Sequence, residues 1–432
     1  MDLFPLLPLF KLAGVFVLVI LVLRLSSQIG LALGLGALAL GLGFSMRPIE
    51  ILRAFGFALT DARSLIIVLI VTLILILSAS MEILGQTDEL LRRFKGWVGG
   101  KRWGLVAFPA LIGLLPMPGG AIFSAPMLDS YDRGKQLTPS LKSFLNYWYR
   151  HIWEYCWPFY PAVLLMCVIA EINLWEYIIL AFPMTMVAAV GGLPQLMQVP
   201  RSLPIPSEEH RLVNNPSAWG AIFSFLLAIL PGVVFAIFIQ FFAASPIGAS
   251  LPKEAGLVAG LLAAVGWAWW DRGIRPHQVR QILFDPKLLR MWYTLAGVFV
   301  FKGVMQGSGA AREVGEVLIH LAIPLEWMAV LLPMIVGVIS GFPIAFVGAT
   351  FPILVTLIHA IANPDMKLPL VILAFASGFT GVILSPLHLC LILSNDYFQA
   401  SWSSVYRRLW LPALFILMGG IGYFWVLSVL MK

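Results

Sequence analysis

Between Asn146 and Pro158 the chain reads NYWYRHIWEYCWP, with an arginine, a histidine and a glutamate set into an aromatic, apolar stretch. On a helix Asn146, Arg150 and Glu154 fall at i, i+4 and i+8 as one polar stripe, with His151 beside Glu154 at i+3. Ionisable residues at membrane depth point to function. Arg150 suits an anion, and a histidine next to a carboxylate can bind and release a proton near neutral pH. The structural alternative is an interfacial belt, in which Trp and Tyr sit at the headgroup level and Arg150 simply pairs with Glu154. A second such stretch, Ser377 to Asn395, reads SGFTGVILSPLHLCLILSN. Ser385-Pro386 breaks this span and His388 follows, which suggests an unwound, ligand-facing turn. His388 alone on an apolar face also reads as a core histidine, and Asn395-Asp396 as a cap at the cytoplasmic surface. Glu82 and Gln306 are buried polar candidates for ion or proton coupling, and Lys302 snorkels or pairs with a carboxylate.

These stretches need elements to hold them. Leu111 to Leu128, LIGLLPMPGGAIFSAPML, is apolar enough for a membrane but carries Pro116, Pro118, Gly119 and Gly120 in its middle. Ile335 to Leu354, IVGVISGFPIAFVGATFPIL, has the same character around Ser340, Gly341 and Pro343. Proline removes a backbone donor and paired glycines loosen the chain, so each stretch reads as a broken helical hairpin. In hydrocarbon such breaks survive only inside protein or beside a water-filled cavity. Half-helix ends at the tips offer N–H groups to an anion and carbonyls to a cation, with Ser124, Ser340 and Thr350 adding hydroxyls. Proline-kinked packing helices without a ligand are the plainer alternative.

Of the 432 residues 60% are hydrophobic and 11% charged, against about 25% charged in soluble domains. The composition is that of an all-α polytopic membrane protein. Spans are expected at Leu9–Leu23, Ile29–Phe44, Ser64–Ile83, Trp157–Ala170 and Tyr177–Met197. After a polar linker, residues 199–216, they continue at Ala218–Phe242, Ala255–Trp270, Met291–Gln306, Leu368–Leu393 and Leu409–Leu430. Each half, 1–198 and 217–432, thus holds five spans and one hairpin, at about 104–128 and 326–356. Amphipathic stretches at Thr87–Val98 and Ala310–Leu321 read as interfacial helices leading into the hairpins. At an offset of 224 residues Met81, Gly85, Glu89, Pro109, Gly113 and Ala121 meet the same residue types, an internal repeat. Five crossings per copy is odd, so the second copy is expected inverted.

The net charge of +7 reads as topology, because the basic residues lie between spans. With the Arg92–Arg102 cluster in the cytoplasm, 19 Lys/Arg fall inside and 8 outside, with Lys302 in a span. Both termini are then outside. Cys156, Cys167 and Cys390 lie in apolar segments without metal-ligand spacing and read as buried small side chains. No metal site, cofactor or nucleic-acid partner is expected. HExxH and phosphate-binding loops are absent from the sequence, His151-x-x-Glu154 alone is a weak metal pattern, and Ser308 has no partnered base, so an enzyme is not expected.

PMPGGAIFSAPML followed by NYWYRHIWEYCWPFYP closely resembles an uncharacterised bacterial and archaeal integral-membrane family. That family is placed in the ion transporter superfamily, beside gluconate permeases, citrate–metal transporters and divalent-anion/sodium symporters. The resemblance implies two inverted repeats with re-entrant hairpins, an elevator-type homodimer in the cytoplasmic membrane, and ligand held at the tips and unwound spans. Carried over, it marks Pro116–Gly120, Ser124, Ser340–Pro343, the region before Pro158 and Ser385-Pro386. The Ser-Asn-Thr tip motif of sodium–dicarboxylate members is absent from both hairpins. The expected function is a secondary active transporter moving a small organic anion, coupled to H⁺ or Na⁺. A passive permease for a neutral solute is the alternative, and an intramembrane enzyme the remote one. The orientation is checked by Arg93→Cys in a cysteine-free background. An impermeant maleimide should react in inside-out vesicles and leave intact cells unlabelled.

Overall fold

The computed structural model describes residues 6–26, 28–85, 102–114, 120–132, 136–200, 255–361 and 364–431. The linker from residue 201, the span at Ala218–Phe242 and the amphipathic stretch Thr87–Val98 lie outside the described residues. The described residues are helical, without strands. The first half holds α1 (Leu7–Ser26), α2 (Ile29–Gly43), α3 (Pro48–Thr60), α4 (Ala62–Ile83), α5 (Trp103–Gly113) and α6 (Ala121–Tyr131). It continues with α7 (Pro139–Arg150), a 3₁₀ turn at Ile152–Tyr155, α8 (Pro161–Ala170) and α9 (Leu174–Leu196). The second half holds α10 (Ala255–Arg272), α11 (Pro276–Leu283), α12 (Pro286–Gly307), α13 (Ala310–His320) and α14 (Leu325–Ser340). It ends with α15 (Pro343–Ile361), α16 (Lys367–Leu384), α17 (Leu389–Phe398) and α18 (Trp402–Leu430).

Among the described residues seven helical stretches are long and apolar enough to cross a membrane. They lie at Leu7–Ser26, Ser64–Ile83, Leu174–Leu196, Pro276–Gly307, Pro343–Ala360, Pro364–Phe398 and Trp402–Leu430, as befits a multi-pass membrane protein. Several expected spans are shorter. Ile29–Phe44 yields a helix of 15 residues. Trp157–Ala170 starts only at Pro161, because Pro158 and Pro161 delay the helix. Leu368–Leu393 divides at Ser385–His388 into α16 and α17. Two short helices, α3 and α11, were not expected; each starts with a proline behind an arginine whose backbone N–H donates to the side chain of the third helical residue, Arg47 to Glu50 and Arg275 to Gln278.

Helix boundaries repeat along the chain. Helices α4 and α12 begin and end 224 residues apart, each behind an aspartate whose carboxylate accepts a first-turn N–H, Asp61 from Ser64 and Asp285 from Lys287. From α7 onward the offset is 228. At that offset α8 and α17 match at both ends, while α7 and α16, and α9 and α18, match at their first residues. Backbone dihedrals follow. Gly85 and Gly309 share φ of +67° and +70°, and the left-handed C-caps Glu171 and Gln399 share φ of 54° and 51°.

Close backbone approach holds the bundle. Helix α16 is buried from Leu368 to Ile383 and packs on α14, where Gly337 leaves no room for a Cβ beside the Gly378 carbonyl. Gly113, the 224-residue counterpart of Gly337, is pressed the same way against the carbonyl of Arg150, the 228-residue counterpart of Gly378. On the other side α2 crosses α12 at Gly30 and Gly297, where a Cβ on Gly297 would stand 2.6 Å from the Gly30 carbonyl oxygen. Small residues at such crossings let main chains touch where no hydrophobic force drives helices together. Gly297→Val should therefore destabilise the protein by at least about 1–3 kcal/mol, read as a lower thermal midpoint in detergent. Gly14→Val, where nothing lies within 4 Å of the added Cβ, is the neutral control.

Candidate functional site

A helix that ends at membrane depth exposes its last carbonyls, which need donors from protein. At the end of α5 the Ala110, Gly113 and Leu114 carbonyls accept from Trp153 Nε1 (2.9 Å), Tyr160 Oη and Trp157 Nε1 (2.9 Å). At the end of α16 the Val382, Ile383 and Leu384 carbonyls face His388 Nδ1 (3.3 Å), Tyr147 Oη (3.0 Å) and Tyr406 Oη (3.0 Å). Tyr147, Trp153 and Trp157 of NYWYRHIWEYCWP are thus donors to these helix ends, while Trp148 and Tyr149 donate to the Ala188 and Ala189 carbonyls of α9. This corrects the interfacial belt, since Tyr147, Trp148, Tyr149 and Tyr155 are all buried.

The single polar stripe is also corrected. Helix α7, opened by Thr138 and Pro139, ends at Arg150; His151 is its C-cap and Glu154 sits on the following 3₁₀ turn. Arg150 is 2% exposed, a rare burial for a guanidinium. Its side chain lies against Gly120, the residue that opens α6, so closely that a Cβ there would collide with Nη2. Arg150 also shares a hydrogen bond with Tyr160 and lies in the electrostatic field of Glu154 and Cys390. The Glu154 Oε1 stands 3.6 Å from His151 Nε2. His151 Nε2 is in turn 3.2 Å from His388 Nε2, so the two unwound segments meet edge to edge. Cys390 completes the group: its Sγ and a ring nitrogen of each histidine lie within 4.8 Å of one another.

The other expected residues fall around this centre in different ways. Asn146 is fully engaged, accepting from Ser124 Oγ (2.6 Å) and donating to the Ala121 carbonyl (3.0 Å) and Ser394 Oγ (2.9 Å). Ser124 is therefore a strut between α6 and α7. Between α14 and α15 Gly341, with φ of +69°, packs on Ser385 and on the Leu387–His388 backbone. Ser340 bonds only across its own turn to Phe342, and Pro343 opens α15. Thr350 is buried and donates to the Phe346 carbonyl one turn back. Ser385 accepts from the Leu387 N–H, while Pro386 is exposed. Glu82 and Gln306 are exposed, which corrects their reading as buried groups; Glu82 lines a cleft with Ser78, Asp285 and Lys287, away from the histidines. Lys302 pairs with Glu171 at 3.7 Å. Pro116, Pro118 and Gly119 lie outside the described residues.

Several participants escaped the sequence reading. Asn395, read as a surface cap, is 2% exposed and accepts from Ser143 at 2.5 Å. Ser394 bonds to Asn146, and Cys390 joins the histidines. Their positions, Cys390 two residues after His388 and Ser394-Asn395 one turn on, place them on the face of α17 that meets α7, a signal that needed the pairing of the two halves.

The profile of the family described as Protein of unknown function (DUF401) matches residues 6–427, and the chain belongs to that family. No curated protein matches it.

Because Asn146 satisfies Ser124, Ser394 and the Ala121 carbonyl together, Asn146→Ala leaves buried polar groups without partners. It should cost about 1–3 kcal/mol, measured as a fall in the denaturation midpoint of the purified protein.

Proposed function

We propose that this member of the family is a secondary active transporter that moves a small organic anion by alternating access, coupled to H⁺ or Na⁺. One observation carries the reading: the Arg150 guanidinium is buried against Gly120 at the start of α6. A helix N-terminus bears partial positive charge, and here a full positive charge converges on it. Two positive features held together inside an apolar protein are matched by an anion, and a carboxylate can take both the backbone N–H groups and the guanidinium fork.

The repeated helix boundaries and caps support two structural copies, and the positive-inside count favours opposite orientations. The paired helices α5–α6 and α14–α15 fit two re-entrant hairpins; Gly120 at the start of α6 lies against Arg150, and Gly341 after α14 lies against Ser385 and the Leu387–His388 backbone. That arrangement is the one expected of the ion transporter superfamily, with a moving hairpin-bearing unit and a static scaffold, assembled as a homodimer in the cytoplasmic membrane. The close α2–α12 crossing at Gly30 and Gly297 suits the scaffold.

Glu154 is the proton carrier in this reading. It is 6% exposed and shares Arg150's electrostatic field with the incoming anion. When substrate takes over the guanidinium, Glu154 loses a compensating charge, and a buried carboxylate left so is costly until protonated. Anion and proton then bind together and cross as a neutral pair.

The test is uptake of labelled small carboxylates into proteoliposomes. An inward proton gradient should drive accumulation in the wild type, and Arg150→Gln should lower the rate about tenfold or more, the loss of about 1.4 kcal/mol or more. Glu154→Gln should abolish gradient-driven accumulation but leave counterflow exchange. Uptake indifferent to both pH and sodium gradients would replace this reading with a passive permease.

A further inference from the structure

The two histidines at the centre present a pattern that anion transport does not require. His151 Nδ1 is 2.5 Å from the Tyr147 carbonyl and His388 Nδ1 is 3.3 Å from the Val382 carbonyl. A carbonyl oxygen only accepts, so the ring proton belongs on Nδ1 in both cases. Each neutral ring therefore turns an Nε2 lone pair inward, and the two lone pairs face each other at 3.2 Å. They repel unless a donor proton or a cation lies between them, and the Cys390 thiol is hydrogen-bonded to His151. An imidazole held by Nδ1–H to a backbone carbonyl, with Nε2 free to coordinate, is the arrangement that orients histidine on a metal.

The distances fit an ion. Two nitrogens bound at 2.0–2.1 Å on a tetrahedral centre stand about 3.3–3.4 Å apart, close to the 3.2 Å between the rings. The third donor is Cys390 Sγ, with all three ligand atoms within 4.8 Å of one another. A tetrahedral N–S edge is about 3.5 Å, so a shift of about 1 Å by the thiol closes the set. Glu154 Oε1, 3.6 Å from His151 Nε2, faces the same point and brings a balancing negative charge. All of these groups are buried. Two imidazoles and a thiolate select borderline-to-soft transition ions over Na⁺, Mg²⁺ or Ca²⁺, whose preferred ligands are oxygens.

We propose that His151, His388 and Cys390 form a buried site for a transition-metal ion of the Zn²⁺ class, which joins the unwound segment after α7 to the one between α16 and α17. The site goes beyond the transport reading and stands without it. An ion there fixes two breaks 237 residues apart in sequence, next to Arg150, and so sets the geometry in which an anion is met.

The full-length protein in detergent is loaded with Zn²⁺, freed of excess by gel filtration and analysed for metal, and separately loaded with Co²⁺ for its absorption spectrum. About one Zn²⁺ should stay with each chain, and Co²⁺ should give a thiolate-to-cobalt charge-transfer band. Cys390→Ser and His388→Ala should each weaken retention about 10–100-fold, whereas Cys156→Ser and Cys167→Ser, buried elsewhere, should retain the ion. Zn²⁺ should also raise the thermal midpoint of the wild type and not of Cys390→Ser. That comparison keeps the test valid if His388→Ala fails to fold. A wild type that holds no Zn²⁺ and gives no cobalt band would mean that only a shared proton sits between the rings, and the proposal falls. It falls equally if Cys390→Ser retains the metal. No substrate or gradient enters these measurements, so their failure and that of the uptake assay are separate results.

Discussion

A backbone polar group freed inside a membrane must be met by another group of the protein, and the centre of this molecule is arranged around that demand. Helices α5 and α16 both end inside the protein, and six side chains reach their last carbonyls. Four of the six, Tyr147, Trp153, Trp157 and Tyr160, come from one short stretch. These rings supply both the apolar bulk that excludes lipid and a single donor at the edge, which is the combination a buried helix end requires. With the carbonyls answered, the breaks become stable, and charged residues can be carried on them.

The same demand explains why the two halves are joined as they are. Tyr147 on α7 donates to the end of α16, and Asn146 and Ser143 bond to α17. His151 meets His388. Arg408 of α18 reaches back to Ser140 near the start of α7, to Gln195 in the last turn of α9 and to Gln198 just beyond it. Helix α7 is therefore the keystone between the halves, buried along nearly its whole length, and its amphipathic sequence faces protein on every side. The glycine contacts Gly113–Arg150 and Gly337–Gly378 place a main chain where a side chain would otherwise hold the helices apart.

Much of this was legible in the residues. Pro and Gly clusters fall between α5 and α6 and between α14 and α15, the polar residues of Asn146–Pro158 marked the centre, and the offset of 224 anticipated where α12 begins and ends. What was not legible depended on contacts between distant segments. Trp153 and Trp157 look the same in a sequence whether they sit at headgroups or cap a helix end. Glu82 and Gln306 lie on helix faces whose burial is set by neighbours, and the register of α4 and α12 turned them outward. Cys390 had no ligand spacing of its own, because its partner His151 is on the other half. The stripe failed for a local reason: Pro158 and Pro161 follow too closely for α7 to continue, so Glu154 swings off its axis onto a 3₁₀ turn.

The meeting of His151 with His388 has a consequence for how the protein is made. The ribosome releases α7 well before the segment that completes it. At 5–20 residues per second the separation of 237 residues takes roughly 10–50 s to synthesise. Through that interval Asn146 and Tyr147 have no α17 or α16 to bond, and Arg150 and Glu154 sit on a segment too polar to rest in lipid. The first half must therefore be sheltered at the insertion machinery, or remain at the bilayer surface, until the second half arrives. The contacts that bury α7 are therefore among the last the growing chain can complete.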